Sequence, residues 1–180
     1  MPPICIAYFS GSRRTEAMAR EIRTGTGQEC RMIDVAQVGP EDWQALAAAP
    51  GIVFGSPTYM GGVAGAVAQF FEDASRYWDN GDWADKIAGG FTTSMHPSGD
   101  KLSTLLRMAV FAAQMQMVWI GQGEISAPIN PENAGINRDG AWLGLMATDP
   151  CDGTLLTEGD LETARRFGAR IAMACARWHG

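Results

Sequence analysis

Short apolar runs alternate with amphipathic helical patterns along most of this chain, and that alternation limits the fold more than any other feature. Residues 4–9 form an apolar run rich in strand formers, bounded by Pro3 and by Ser10-Gly11. Residues 15–24 place Met18, Ala19 and Ile22 at helical spacing before Gly25 and Gly27. The pattern then repeats: strand over 30–35, helix over 41–49 after Pro40, strand over 51–55, helix over 63–76. A fourth strand over 87–93, a helix over 101–115 and a fifth strand over 117–120 follow. Residues 121–158 read as a long irregular stretch, and 160–177 as the last helix. Five rounds of strand and helix argue for a parallel α/β sheet covered on both faces. Right-handed crossovers leave few topologies, and ligands in such sheets bind beyond the carboxyl ends of the strands. The loops at 10–15, 56–62 and 92–100 are therefore where chemistry is expected.

Composition narrows the classes. The 180 residues, 46% of them apolar, suit one domain over 1–180 with a substantial core. A net charge of −6 repels duplex nucleic acid, so no such partner is expected. Cys5, Cys30, Cys151 and Cys175 are scattered without a C-x-x-C pair and read as reduced, buried thiols. The N-terminal segment lacks the basic start of a secretory signal, and no apolar run is long enough for a membrane span, so a cytoplasmic protein is expected.

The first loop reads Ser10-Gly11-Ser12-Arg13-Arg14-Thr15, followed by Glu16. Backbone N–H groups at a helix start, with hydroxyls beside them, make an anion site. Thr15 capping the helix accounts for one hydroxyl and leaves Ser10, Ser12 and the nearby Tyr8. Arg13 and Arg14 either add charge there or form a solvated pair. The loop has neither G-x-G-x-x-G nor G-K-[ST], which sets aside dinucleotide and Walker A folds. A phosphoacceptor domain is set aside too, because strands one and three end in Tyr8-Phe9-Ser10 and Gly55-Ser56-Pro57 without the acidic residues it needs. In the second loop Gly61 and Gly62 permit close backbone approach, Pro57 stiffens the chain, and Tyr59 offers a flat face with a hydroxyl. Trp78 and Trp83 either cap a cofactor pocket or cover the core, and Met108, Met115 and Met117 read as packing. His179, next to last, is expected to fray.

Taken in order, these loops resemble a known family. Ser10-x-Ser12-x-x-Thr15-Glu16 is similar to the FMN-phosphate loop of flavodoxins and flavodoxin-like reductases. Gly55-Ser56-Pro57-Thr58-Tyr59-Met60-Gly61-Gly62 resembles the second flavin loop of the WrbA-like, type IV NAD(P)H:quinone oxidoreductases. Phe91-Thr92-Thr93-Ser94 resembles the third loop of that group, and 139–144 its extension after the fifth strand. The resemblance implies a flavodoxin-like fold: a five-stranded parallel sheet in the order 2-1-3-4-5 with helices on both faces. It implies FMN held by residues 10–15, 57–62 and 92–94, with NAD(P)H and a quinone as substrates, no metal, and a homodimer or homotetramer. Two departures stand out. Arg13 replaces a family glycine, and the family's flavin-proximal histidine falls at Ala112 or Ala113, which leaves His96 as a stand-in. Tyr59 and His96 are thus the candidates for contact with the reacting groups. A one-electron carrier of the flavodoxin type, binding FMN without oxidising NAD(P)H, is the alternative. The long 121–158 segment favours the enzyme, because it reads as a cover.

Overall fold

A computed structural model describes residues 2–180. The chain runs β1 (Ile4–Tyr8), α1 (Arg14–Thr26), β2 (Cys30–Asp34), α2 (Pro40–Ala48), β3 (Gly51–Tyr59), β4 (Gly62–Val63) and α3 (Gly65–Ala74). It continues through β5 (Ile87–Ser94), α4 (Lys101–Gln114), β6 (Val118–Trp119), β7 (Leu145–Thr148) and α5 (Glu158–His179). The main sheet is parallel in the order β2-β1-β3-β5-β6, which is the expected topology.

Seven strands are present where five are expected, and both extra ones have a physical cause. The fifth lane is split: β6 pairs with Ile87 and Ala88 at the start of β5, and β7 pairs with Phe91 to Ser94 at its end. The chain leaves the lane after Trp119 and returns at Leu145, so the stretch read as wholly irregular contains a four-residue strand. Four residues are too few for a periodic signal. The other addition is β4, which folds back antiparallel on β3 and pairs Thr58 with Val63 and Tyr59 with Gly62. The helix expected from residue 63 therefore begins at Gly65.

Period-two alternation divides the core into two layers. From β1, Ile4 and Ile6 face α1 and α5, where they meet Met18, Ile22, Phe167 and Ile171. Cys5 and Ala7 face the opposite layer with Leu46, Phe70, Phe71 and Phe111 from α2, α3 and α4. Phe71 and Phe111 stack at 3.9 Å, and Trp83 is fully buried beside them. Trp83, Met108, Met115 and Met117 are core residues as expected, whereas Trp78 is 57% exposed. The thiols divide as well: burial pushes Cys5 up to about 12 and Cys175 up to about 11, while Cys30 is half-buried and Cys151 lies on the surface. His179 is not frayed; it ends α5 with its ring Nε2 3.0 Å from the Pro50 carbonyl.

Helices α1 and α5 pack backbone against backbone. A Cβ on Gly25 would fall on the Arg165 carbonyl, and one on Gly168 on the Ile22 carbonyl. Arg165 closes the same seam by donating its Nε to Glu21 at 2.6 Å. Because the obstruction at Gly168 is backbone, Gly168→Ala must part the helices, and it should cost about 3 kcal/mol, at the upper end of ordinary overpacking. Urea unfolding followed by circular dichroism measures this; a loss under about 1 kcal/mol would show a looser seam than the one described.

Candidate functional site

Because the strands are parallel, the loops after β1, β3 and β5 gather at one edge of the sheet. The ladder continues past β1, where Phe9 donates its N–H to the Gly55 carbonyl at 3.1 Å. The first loop then turns into α1 through Arg13, whose φ of 66° lies in the left-handed region and whose side chain makes no cap. This residue keeps the backbone that a glycine adopts freely, which answers the family departure: the loop geometry is retained by an arginine in a strained conformation. Thr15 is not the cap. It lies inside the first turn, fully buried, with its Oγ1 3.0 Å from that of Thr93. Ser10 Oγ accepts the N–H of Glu16 at 3.2 Å.

The second loop proves to be mostly strand. Pro57, Thr58 and Tyr59 belong to β3, and the turn is the pair Met60-Gly61, with φ values of 49° and 78°. Two positive φ angles in a two-residue hairpin make the turn type whose twist suits the strands. Hydroxyls fix it in place. Thr58 Oγ1 lies 2.8 Å from both Thr92 Oγ1 and Thr104 Oγ1, and Ser103 Oγ donates to the Gly61 carbonyl at 2.6 Å. The third loop closes on itself where Ser94 Oγ donates to the His96 carbonyl at 2.7 Å. It enters α4 through Gly99 and Asp100, both left-handed.

Between the three loops lies a cleft of about 550 Å³, within the size range of small-ligand sites. Its walls are Ser12 and Arg14 from the first loop, Pro57, Thr58, Tyr59, Met60 and Gly61 from the hairpin, and Thr93, Ser94 and His96 from the third loop. The remaining expected residues stand behind these walls. Gly11 lies under Tyr59, close enough that a Cβ would strike the phenol oxygen. Thr15 and Thr92 are buried supports, Ser10 serves the start of α1, and Arg13 and Gly62 shape backbone. Tyr8 also stays behind; burial and the nearby Glu16 and Asp34 push its hydroxyl pKa up. Met95, Gly99 and Asp100 line the cleft without having been singled out, although a Gly-Asp pair just before a helix start marked the turn.

Asp149 was missed for the same reason as β7. The strand ends at Thr148 beside Ser94, whose carbonyl accepts the Asp149 N–H at 3.0 Å, and this brings the Asp149 carboxylate into an ion pair with Arg14. Arg14 Nε is buried and has no hydrogen-bond partner in the structure. A buried, unsatisfied donor beside a helix start and serine hydroxyls is the chemistry that a phosphate satisfies, and in this respect the residues fit the phosphate of FMN. None of residues 121–158 lines this cleft; the 121–144 part packs on α5, α4 and β6, with Arg166 donating to Glu124 at 3.0 Å, Lys101 paired with Asp139 at 2.7 Å and Trp119 Nε1 donating to the Leu143 carbonyl at 2.7 Å. It therefore covers the sheet flank rather than the flavin opening.

Comparisons with known proteins agree with this geometry. A family model described as NADPH-dependent FMN reductase matches residues 43–131. Flavodoxin FldP of Pseudomonas aeruginosa (strain UCBPP-PA14) is 35% identical over 185 residues, covering 99% of this chain and 100% of that protein. An NAD(P)H dehydrogenase (quinone) of Geobacter sulfurreducens is 37% identical over 141 residues, covering 75% of this chain and 66% of that one. Among solved structures, a flavodoxin, WrbA-like protein from Agrobacterium tumefaciens superposes with a TM-score of 0.78 at 31% identity, covering 98% of this chain and 99% of that one. Fold and cleft together define a flavodoxin-like, FMN-binding protein. Within that class, the chain belongs to the WrbA-like flavodoxin family.

The strained Arg13 can be tested directly. Arg13→Gly should be more stable than Arg13→Ala by about 1 kcal/mol, since only glycine adopts this φ without penalty. Equal denaturation midpoints for the two variants would contradict the left-handed assignment.

Proposed function

We propose that this protein is an FMN-dependent oxidoreductase that passes a hydride from NAD(P)H, through FMN, to a quinone or similar acceptor. The observation that carries the reading is an open cleft walled by all three loops at the switch edge of the sheet, with no second nucleotide-binding strand-helix unit among the described residues. Donor and acceptor must then use one opening in turn. FMN, when bound, supplies the two-electron chemistry. The protein's part is to bind and orient. Arg14 Nε would donate to the phosphate, its guanidinium held by the ion pair with Asp149, and Ser12 would add a hydroxyl, with Ser10 and Thr15 supporting the loop from behind. Thr93, Ser94 and Tyr59, the last 46% exposed, would hold the ring system from the remaining walls. His96 lies on the same wall and is positioned to donate to an acceptor oxygen.

A second reading, a one-electron carrier, has one specific support: a relative 35% identical over its whole length is named a flavodoxin. The two separate in the stopped-flow spectrometer. An enzyme shows fast flavin reduction by NAD(P)H and parallel double-reciprocal lines as quinone is varied, whereas a carrier shows slow reduction and no sustained turnover. Arg14→Gln should weaken FMN by about tenfold to a hundredfold, the loss expected for a hydrogen bond to a charged group. An unchanged dissociation constant in a titration of apo-protein would place the phosphate elsewhere.

The finer expectations belong to the same reading. We place the protein in the cytoplasm, as one domain over 1–180, and among the described residues no helix is long and apolar enough to cross a membrane. Trp78, Trp142 and Trp178 are each more than half exposed, which supports association into a homodimer or homotetramer. Light scattering at micromolar concentration decides this, and a mass near 19 kDa would exclude it.

A further inference from the structure

Lys101 opens α4, and its side chain is 1% exposed. Neither helix propensity nor electrostatics explains a lysine there, because a cation at a helix N-terminus opposes the macrodipole. Its contacts supply a reason. Nζ donates to the Pro97 carbonyl at 2.8 Å and to the His96 carbonyl at 3.3 Å, both in the third loop. It also donates to Thr148 Oγ1 at 2.5 Å and pairs with Asp139 at 2.7 Å. Thr148 in turn donates its hydroxyl to the same Asp139 oxygen at 2.7 Å.

We infer that Lys101, balanced by Asp139, is a positioning residue for the flavin-facing third loop. Its ammonium draws two successive loop carbonyls inward. The path between Ser94 and Asp100 is thereby set, and with it the place of Met95, His96 and Gly99 on the cleft wall. Besides this amine, the Ser94 hydroxyl grips the His96 carbonyl, while the Ser103 hydroxyl at 2.6 Å from the Asp100 carbonyl and the Lys101 N–H at 3.1 Å from the Ser98 carbonyl hold only the end of the loop next to α4. Asp139 belongs to the 121–144 segment, so that segment acts on the flavin site from behind, through a buried ion pair. The inference rests on flavin occupying the cleft, as in the reading above, and does not require turnover.

The comparison of two ligands tests it. Removing Lys101 alone would strand a buried carboxylate, so the variant is Lys101→Met with Asp139→Asn. Lys86→Met is the control. Lys86 is the protein's other buried lysine, spent on the Ala47 and Ala49 carbonyls at the opposite end of β5, so its loss costs stability without touching the cleft. Apo-proteins are titrated with FMN and with riboflavin, which has the ring but no phosphate. The double variant should bind both about tenfold or more weakly and by similar factors, with Lys86→Met unchanged. A loss confined to FMN would mean that the cluster serves the phosphate end, and an equal loss in Lys86→Met would mean general destabilisation; either overturns the assignment. Amide exchange gives an independent reading. Residues 95–100 of the apo double variant should exchange faster than in the wild type while residues 10–16 do not, and unchanged exchange at 95–100 refutes the inference.

Discussion

Parallel strands cannot pair unless the chain returns to the same end of the sheet after each one, and the rest of this structure follows from that return. Helices α1 to α4 are return paths, and the turns that follow the parallel strands lie at the same edge. The central strand β3 is buried on both sides, so the two layers must approach closely. Gly55 leaves room for the Phe91 ring, and Gly89 and Gly90 on β5 admit Phe167 and Ile171 from one face and Met108 and Trp119 from the other. Glycines in a strand ordinarily weaken it; here they let helices and rings reach the sheet.

At the loop edge, the sheet ladder gives out and side chains take over much of the fixing. Hydroxyls take up most of this work: Thr15 with Thr93, Thr58 with Thr92 and Thr104, Ser103 with the hairpin carbonyl, and Ser56 with the Ala64 N–H at 2.9 Å. Several residues read from sequence as cofactor ligands thus turn out to be the frame on which the lining residues hang. A phosphate loop and a threonine-rich frame have the same composition, and only the backbone path separates them.

How far the sequence could be read follows the length scale of each signal. Short apolar runs located the parallel strands, because burial on both faces demands them, while their order came with the family resemblance. Features of two to four residues escaped: the Thr58 to Val63 pairing, the β7 strand and the position of Asp149. Arg13 was legible as a departure but not as a strained one, since nothing in an arginine announces a positive φ. Lys101 was read as part of an ordinary helix. Its partner Asp139 lies 38 positions away and its acceptor Thr148 47 away, a separation that no local pattern reports.

The two lysines have a consequence for handling the protein. Fourteen residues carry a permanent positive charge, and twelve of them are arginines; the others are Lys86 and Lys101. Both amines are buried, with Lys86 at 8% exposure, and both are occupied by carbonyl oxygens. The folded surface therefore presents cations without side-chain amines. Succinimidyl esters, aldehyde fixatives and amine-coupled sensor chips find no lysine to react with while the fold is intact. Side-chain attachment to a surface is better made through carboxylates or through the exposed Cys151 thiol. Lysine acylation, in turn, becomes a reporter of unfolding.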